Sequence, residues 1–259
     1  MAESTLAVTL NEIRSEVCRY LGFGRYYDAA NSVQRDDCDL IIRRGLRQFY
    51  CPPPLKGEIT SHGWTFLQPT TTLTTVAATG TYALPDDFGG IIGSFHYSSE
   101  IYPYPVAVVS DFVLRQAQSS DDSSARPSIA MLEPSQTASA GNPDIPTRWQ
   151  VVFHPVPNAV YVFRYKYYVV QDAAAAALDY VPGGAMHGET ILSSCLAIAE
   201  TYAESPNAKY RGYFVERLTA SVLLDRRTGG VAVLGKNTDR SDASSNGGTI
   251  FTTYNNVLY

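Results

Sequence analysis

The sequence has little charge, little lysine and no long apolar run. Asp, Glu, Lys and Arg make up 17% of the 259 residues, below the roughly 25% of an ordinary soluble domain. Hydrophobic residues still reach 45% and aromatics 12%. A chain of that composition buries a core, which excludes wholesale disorder. No apolar stretch reaches the roughly 18 residues that a membrane helix needs, so no membrane partner is expected. The opening MAESTLAVTLNE has no basic segment followed by an apolar one. No secretory signal is expected, and the chain reads as made in a cytoplasm or inside something assembled there.

Motifs of chemistry are equally scarce. Cys18, Cys38, Cys51 and Cys195 show no CxxC spacing. They read as small buried hydrophobes, not as a disulfide framework. His62, His96, His154 and His187 show no HExxH spacing, and none lies near a second His or Cys in a ligand pattern. GxSxG is absent, although a triad whose members meet only in space stays open. Asp86-Asp87 and Asp121-Asp122 fall in turn-like stretches and are expected to face water. Gly230 to Asn237 approximates a phosphate-binding loop, but it ends in Asn, which lacks the metal-binding hydroxyl, and follows a helix where a strand is required. No catalytic residue, cofactor or metal ligand is assigned, and the chain is expected not to be an enzyme.

What the sequence does have is 16 Arg against 4 Lys, and 18 Tyr. Protein interfaces favour Tyr and Arg over Lys, because a ring or a planar fork makes contacts at low entropic cost. Genomic base composition also trades Lys for Arg, so both explanations stand. The net charge of -5 argues against ordinary nucleic-acid binding. The strongest basic cluster, Arg43, Arg44 and Arg47, follows acids on one helix and reads as a solvated or interface face.

Three blocks follow one another. Residues 1–60 and 188–259 balance their charges, while residues 61–187 hold 10 acidic and 5 basic residues. In the first block Thr9 and Glu12 form a capping box for a helix with Leu10, Ile13, Val17 and Tyr20 on one face, ended by Gly22. A second helix is expected from Asp36 to Tyr50, with Leu40, Ile41, Leu46 and Phe49 apolar. Pro52 to Pro54 stop it. Its early Asp36, Asp37 and Asp39 suit the helix dipole.

The middle block reads as strands: Trp64–Leu67, Thr72–Ala78, Thr81–Leu84, Ile91–Tyr97 and Tyr102–Val109. Trp149–Phe153 and Tyr161–Val169 then alternate with period two and are expected to pair as a half-buried hairpin. Ser119 to Ser124 and Pro134 to Pro146 read as loops.

In the third block, Glu189–Ser205 places Ile191, Cys195, Ile198, Ala199 and Tyr202 on one side. Lys209–Arg227 places Tyr210, Phe214, Leu218 and Val222 four apart. The short polar break between them predicts an antiparallel pair. After a Gly/Ser/Asn-rich linker comes an apolar, strand-like end, with Thr249, Ile250, Phe251, Thr252, Tyr254, Val257, Leu258 and Tyr259. It is either a fold-back strand completing the β block or an arm that pairs with a neighbouring chain by strand addition.

Short motifs in order carry a resemblance. Leu46 to Pro54 (LRQFYCPPP), Trp64 to Pro69 (WTFLQP), Tyr82 to Phe88 (YALPDDF), Arg126-Pro-Ser-Ile, and Phe153 to Asn158 (FHPVPN) leading into Tyr161 to Tyr168 resemble head-to-tail adaptor proteins of tailed bacteriophages. These are the connector, or tail-tubular-A-like, neck proteins. The resemblance spans residues 36–228 and implies a virion structural protein. It implies a ring beneath the portal, often of twelve copies, with a tail or nozzle protein on the other side. DNA would pass through without specific binding, and a terminal arm would grip the portal or a neighbour. The expected fold is α+β. Residues 1–60 and 188–230 would form a helical bundle, residues 61–187 an inserted antiparallel β domain, and residues 231–259 a linker and C-terminal docking arm. Other readings are another virion part (stopper, tail terminator or minor capsid protein), a hydrolase with a triad hidden in space, and a carbohydrate-binding β module. The last would stack sugar on Trp64, Tyr97, Tyr102 and Tyr104.

Overall fold

The computed structural model describes residues 4–55, 60–99, 104–120, 123–135, 148–171, 179–204 and 209–228. The chain builds two compact units. It leaves the first after Leu67, forms the second from Gln68 to Val170, and re-enters the first at Gln171.

The first unit is helical. α1 (Leu10–Tyr20) starts where the capping box requires. The Glu12 N–H donates to Thr9 Oγ1 at 3.3 Å, and the Thr9 N–H donates to Glu12 Oε2 at 2.8 Å. This satisfies donors that a helix start leaves without partners. α2 (Ser32–Tyr50) begins four residues before the expected Asp36, because Asn31 and Gln34 make a second capping box. Asp36, Asp37 and Asp39 therefore lie past its first turn, where the dipole has weakened. Leu40 is turned outward, and Ile41, Ile42, Leu46 and Phe49 face the core.

α4 (Gly184–Tyr202) and α5 (Tyr210–Thr228) complete this unit, and α3 (Asp111–Ser120) belongs to the second. α4 starts earlier than expected, and Tyr202 is exposed at its end, not in the core. α4 and α5 are antiparallel, as contacts from Thr190 to Ser221 and from Glu200 to Tyr210 require. α2 and α4 cross at Gly45. A Cβ there would lie 2.6 Å from the Cys195 Cα, so only glycine permits the approach.

Trp64–Leu67 is not a strand. Thr65–Leu67 forms a 3-10 turn, and Trp64 is buried against Phe49 with ring centroids 4.6 Å apart. Its indole N–H donates to the Phe49 carbonyl at 2.8 Å. An aromatic residue with a polar edge thus fills the core without leaving a donor unpaired.

The described residues of the second unit form sheets of three, four and two strands. β1 (Thr70–Thr74), β9 (Val162–Val169) and β3 (Phe88–Tyr97) form one, in the order β1-β9-β3. β2 (Thr81–Ala83), β7 (Trp149–His154), β6 (Ile129–Pro134) and β4 (Ala107–Val108) form the second, in the order β2-β7-β6-β4. β5 (Ser124–Ala125) pairs with β8 (Val156–Pro157).

The three-stranded sheet is antiparallel, as expected of the whole domain, but two other strand pairs are parallel. β4 runs parallel to β6, and β5 parallel to β8. A parallel pair needs a crossover connection. Helix α3 (Asp111–Ser120), which lies in the connection from β4 to β6, supplies it. α3 takes up the first part of the expected Ser119–Ser124 loop, and Pro134 ends β6.

The expected hairpin does not form either. β7 pairs with β2 and β6, while β9 pairs with β1 and β3. The period-two alternation of β9 is nevertheless right. Phe163, Tyr165 and Tyr167 are buried, and Arg164, Lys166 and Tyr168 face the other way. The two expected hairpin partners meet across the core, face to face. Phe153 of β7 stacks on Phe163 of β9 with centroids 4.8 Å apart and planes 15° apart. Phe95 packs edge-on to Phe153 at 5.4 Å.

Candidate interaction surfaces

Helix α5 owes its placement to one narrow stripe. Phe214, Leu218, Ser221, Val222 and Asp225 recur at helical spacing and are buried. Much of the rest of the helix faces solvent, including Tyr213, Val215 and Leu223 at 51%, 53% and 61% exposure. Exposed Arg211, Glu216, Arg217, Arg226 and Arg227 lie among them. Apolar and aromatic residues mixed with arginine are the composition that protein interfaces favour.

Two buried carboxylates fix this helix. Glu200 of α4 accepts the N–H groups of Lys209 at 2.8 Å, Tyr210 at 2.9 Å and Arg211 at 3.3 Å. It caps the α5 N-terminus, where negative charge complements the helix dipole. Near the other end, Asp225 accepts from His62 Nε2 at 2.8 Å and from Thr65 Oγ1 at 2.7 Å, and also from the Thr65 N–H at 3.1 Å.

This cluster contains a hydroxyl, an imidazole and an acid, yet their order is not that of a nucleophile triad. A triad places the base between hydroxyl and acid. Here the acid lies between them, and the Thr65 hydroxyl donates to Asp225 instead of to His62. The arrangement ties the 60–67 segment to α5. His187 is buried nearby, with Nδ1 lacking any hydrogen-bond partner. Burial pushes its pKa below the ordinary histidine value, against the opposing pull of Asp225. Among the described residues, no three His, Cys, Asp or Glu side chains lie close enough together to hold a metal ion.

Tyr202, expected on the same side of the helix as Ile191 and Cys195, is instead exposed, and hydrogen bonding to Asp37 of α2 raises its pKa. The Arg43, Arg44 and Arg47 cluster is exposed along the outer side of α2. On the same unit, Asp39 accepts two hydrogen bonds from Arg14, at 2.9 and 3.0 Å, and one from the Tyr27 hydroxyl at 2.8 Å. Burial, followed by this bond to Asp39, pushes the Tyr27 phenol up to about 12.

The β unit offers a different kind of surface. Along β9 the residues Val162, Arg164, Lys166 and Tyr168 share the outer face of the three-stranded sheet. They register against Thr74, Thr72 and Thr70 of β1 on one side, and against His96, Ile92 and Gly90 of β3 on the other. β1 hydrogen-bonds only to β9 among the described residues, so its second edge is open. That edge is Thr-Thr-Thr-Leu-Thr, with high β propensity and no charge to block pairing. Phe112 of α3 is a further exposed aromatic residue, while Leu114 anchors that helix.

The expected docking residues Thr249, Ile250, Phe251, Thr252, Tyr254, Val257, Leu258 and Tyr259 lie outside the described residues. The buried Trp64 is not open to stack on a sugar. Trp64 is buried in the helical core, Tyr97 belongs to the β unit, and Tyr102 lies outside the described residues.

The outward face of α5, both buried carboxylates and helix α3 went unseen in the sequence. The wide spacing of Tyr213, Val215 and Leu223 resembles no single stripe, and His62 is 163 residues from Asp225. For α3 a signal existed: Asp111 and Arg115 are four apart and form an ion pair at 2.7 Å.

A family model described as SU10 adaptor protein matches residues 8–234. No curated protein matches the chain closely enough to count as a relative.

Proposed function

The chain belongs to the SU10 adaptor protein family and is a bacteriophage head-to-tail adaptor, and from this premise we propose that its copies close into a ring between portal and tail through which DNA passes. The observation that carries the reading is the family match over residues 8–234. A dodecamer is the form the resemblance implies.

Physical requirements support the proposal. A ring of more than two copies needs two different complementary patches on each subunit. The outward face of α5, with Tyr213, Val215 and Leu223, is apolar and arginine-rich. The open edge of β1 offers main-chain groups for strand addition. A conduit must also let DNA slide, and a chain of net charge -5 does not hold phosphates as a basic one does.

Residues 249–259 are proposed as the docking arm for the portal or for a neighbouring copy. They lie beyond the matched residues, so their role rests on sequence character alone. Deleting Thr249 to Tyr259 should leave the fold intact and abolish attachment to the portal. Pelleting with purified portal rings measures this, and a truncated chain that still co-sediments would remove the arm from the mechanism. The isolated full-length chain is expected to be monomeric, because the ring forms on its portal template. Imaging of the neck of intact particles at side-chain resolution tests the whole reading. A ring of this chain directly beneath the portal supports it. Finding the chain only in the capsid wall or at the tail tip overturns it.

A further inference from the structure

The thiols of Cys18 and Cys38 lie 3.0 Å apart, sulfur to sulfur, and both residues are completely buried. Cys18 is near the end of α1 and Cys38 lies in the second turn of α2. Each is held by its helix in the core shared with Ile13, Val17, Ile41 and Ile42. A disulfide needs sulfurs about 2.05 Å apart, so closure asks for a movement of roughly 1 Å. The connection between the two helices contains Gly22 and Gly24 at positive φ.

We propose that Cys18 and Cys38 form a latent cross-linking site, at which a hydroperoxide oxidises the two thiols of the folded chain to a covalent bond between α1 and α2. One sulfur attacks the peroxide oxygen, the O–O bond breaks, and a sulfenic acid and one water result. The second sulfur attacks the first, the S–O bond breaks, the S–S bond forms, and a second water leaves. Two hydrogens and two electrons pass from the thiols to hydrogen peroxide, which becomes two waters. The bond adds a covalent lock to a pair of helices that the reduced chain joins by packing and by the Arg14–Asp39 ion pair. Burial, with the neighbouring Cys18 thiol, pushes Cys38 upward. Cys38 is therefore held as the thiol at neutral pH and reacts slowly. Proximity, not nucleophilicity, selects the product. This site is independent of the adaptor reading. It suits any protein that folds in a reducing cytoplasm and later meets an oxidising exterior.

The test uses the full chain carrying Cys51→Ser, since Cys51 is exposed and would link separate molecules. Folded protein is treated with hydrogen peroxide, its remaining thiols are blocked with N-ethylmaleimide after unfolding, and it is digested with trypsin without reduction. Cleavage after Arg14, Arg19, Arg35 and Arg43 releases residues 15–19 and 36–43. The expected result is these two peptides joined, about 2 Da lighter than their sum, and separated by reductant. The oxidised chain should also melt roughly 10 °C higher, an increase that reductant reverses. Maleimide on both thiols overturns the proposal. So does a link from either one to Cys195, sulfinic acid at either position, or a link formed only when peroxide is added to unfolded chain.

Discussion

In the helical unit buried polar side chains join distant segments beside the apolar core, whereas the centre of the β unit is joined by aromatic rings. Asp225 and the Ser194 hydroxyl, which donates to the Gly45 carbonyl at 2.8 Å, join pieces of chain far apart in sequence, and Glu200 joins the end of α4 to the start of α5. In the β unit the bridging groups are Phe95, Phe153, Phe163, Tyr165 and Tyr167. The difference follows from where backbone hydrogen bonds go. A helix satisfies its own bonds, so packing two helices fixes no register unless a side chain or a close backbone approach does so. Strands already bond across to their neighbours, and the ladder sets the register. The β core is then free to be apolar.

Removing the central ring of the β unit gives the largest effect on this contrast. Phe163→Ala should destabilise that unit by about 3–5 kcal/mol, because a fully buried ring stacked on Phe153 leaves a cavity. Hydrogen exchange read by mass spectrometry should show faster opening of β1, β3, β7 and β9. Unchanged protection of those strands would deny the aromatic stack its role.

Asp225→Ala should follow, at about 2–4 kcal/mol, because His62 and Thr65 lose their buried acceptor. Here exchange should accelerate in α5 and in residues 60–67, with β9 unaffected. Gly45→Ala should cost about 1–3 kcal/mol, since the new methyl meets backbone of α4 and not a yielding side chain. Denaturant midpoints measure it, and a midpoint equal to that of the parent would mean the helices can separate without penalty.

The smallest effect is on pH. The His187 pKa is lowered in the folded chain, by burial first. The folded state then binds fewer protons than the unfolded state as pH falls through the ordinary histidine range. The stability of the helical unit is full above about 6.5 and declines as pH drops below that value toward the folded pKa. Urea midpoints at pH 7.5 and 5.5 test the sign. A higher midpoint at pH 5.5 in the helical unit would contradict it.

Much of the helical unit was legible because its signals are local. Thr9 with Glu12 marked the start of α1, and Pro52 to Pro54 marked the stop of α2. Asn31 with Gln34 carried an equally plain start signal, which the run of aspartates at 36–39 obscured. In the β unit, alternation identified β9 and its buried face but not its neighbours, because period two says which side chains share a face and nothing about which strand lies alongside. The segment from Pro155 to Val160 invited a hairpin, and the chain instead crosses from one sheet to the other there. Trp64 misled for a related reason. An aromatic residue beside Thr and Phe looks like a strand, but its burial is decided by Phe49, fifteen residues away.

The amino-acid sequence by itself determined the positions of most helices, the inner face of β9, and the scarcity of chemical motifs. These depend on capping pairs, prolines and periodicity, which act within a few residues. Only the tertiary structure decided that Phe153 and Phe163 stack, that His62 and Asp225 meet, and that Cys18 and Cys38 touch. Those contacts join segments through packing in three dimensions, where the energy depends on which surfaces exclude water together and not on separation along the chain.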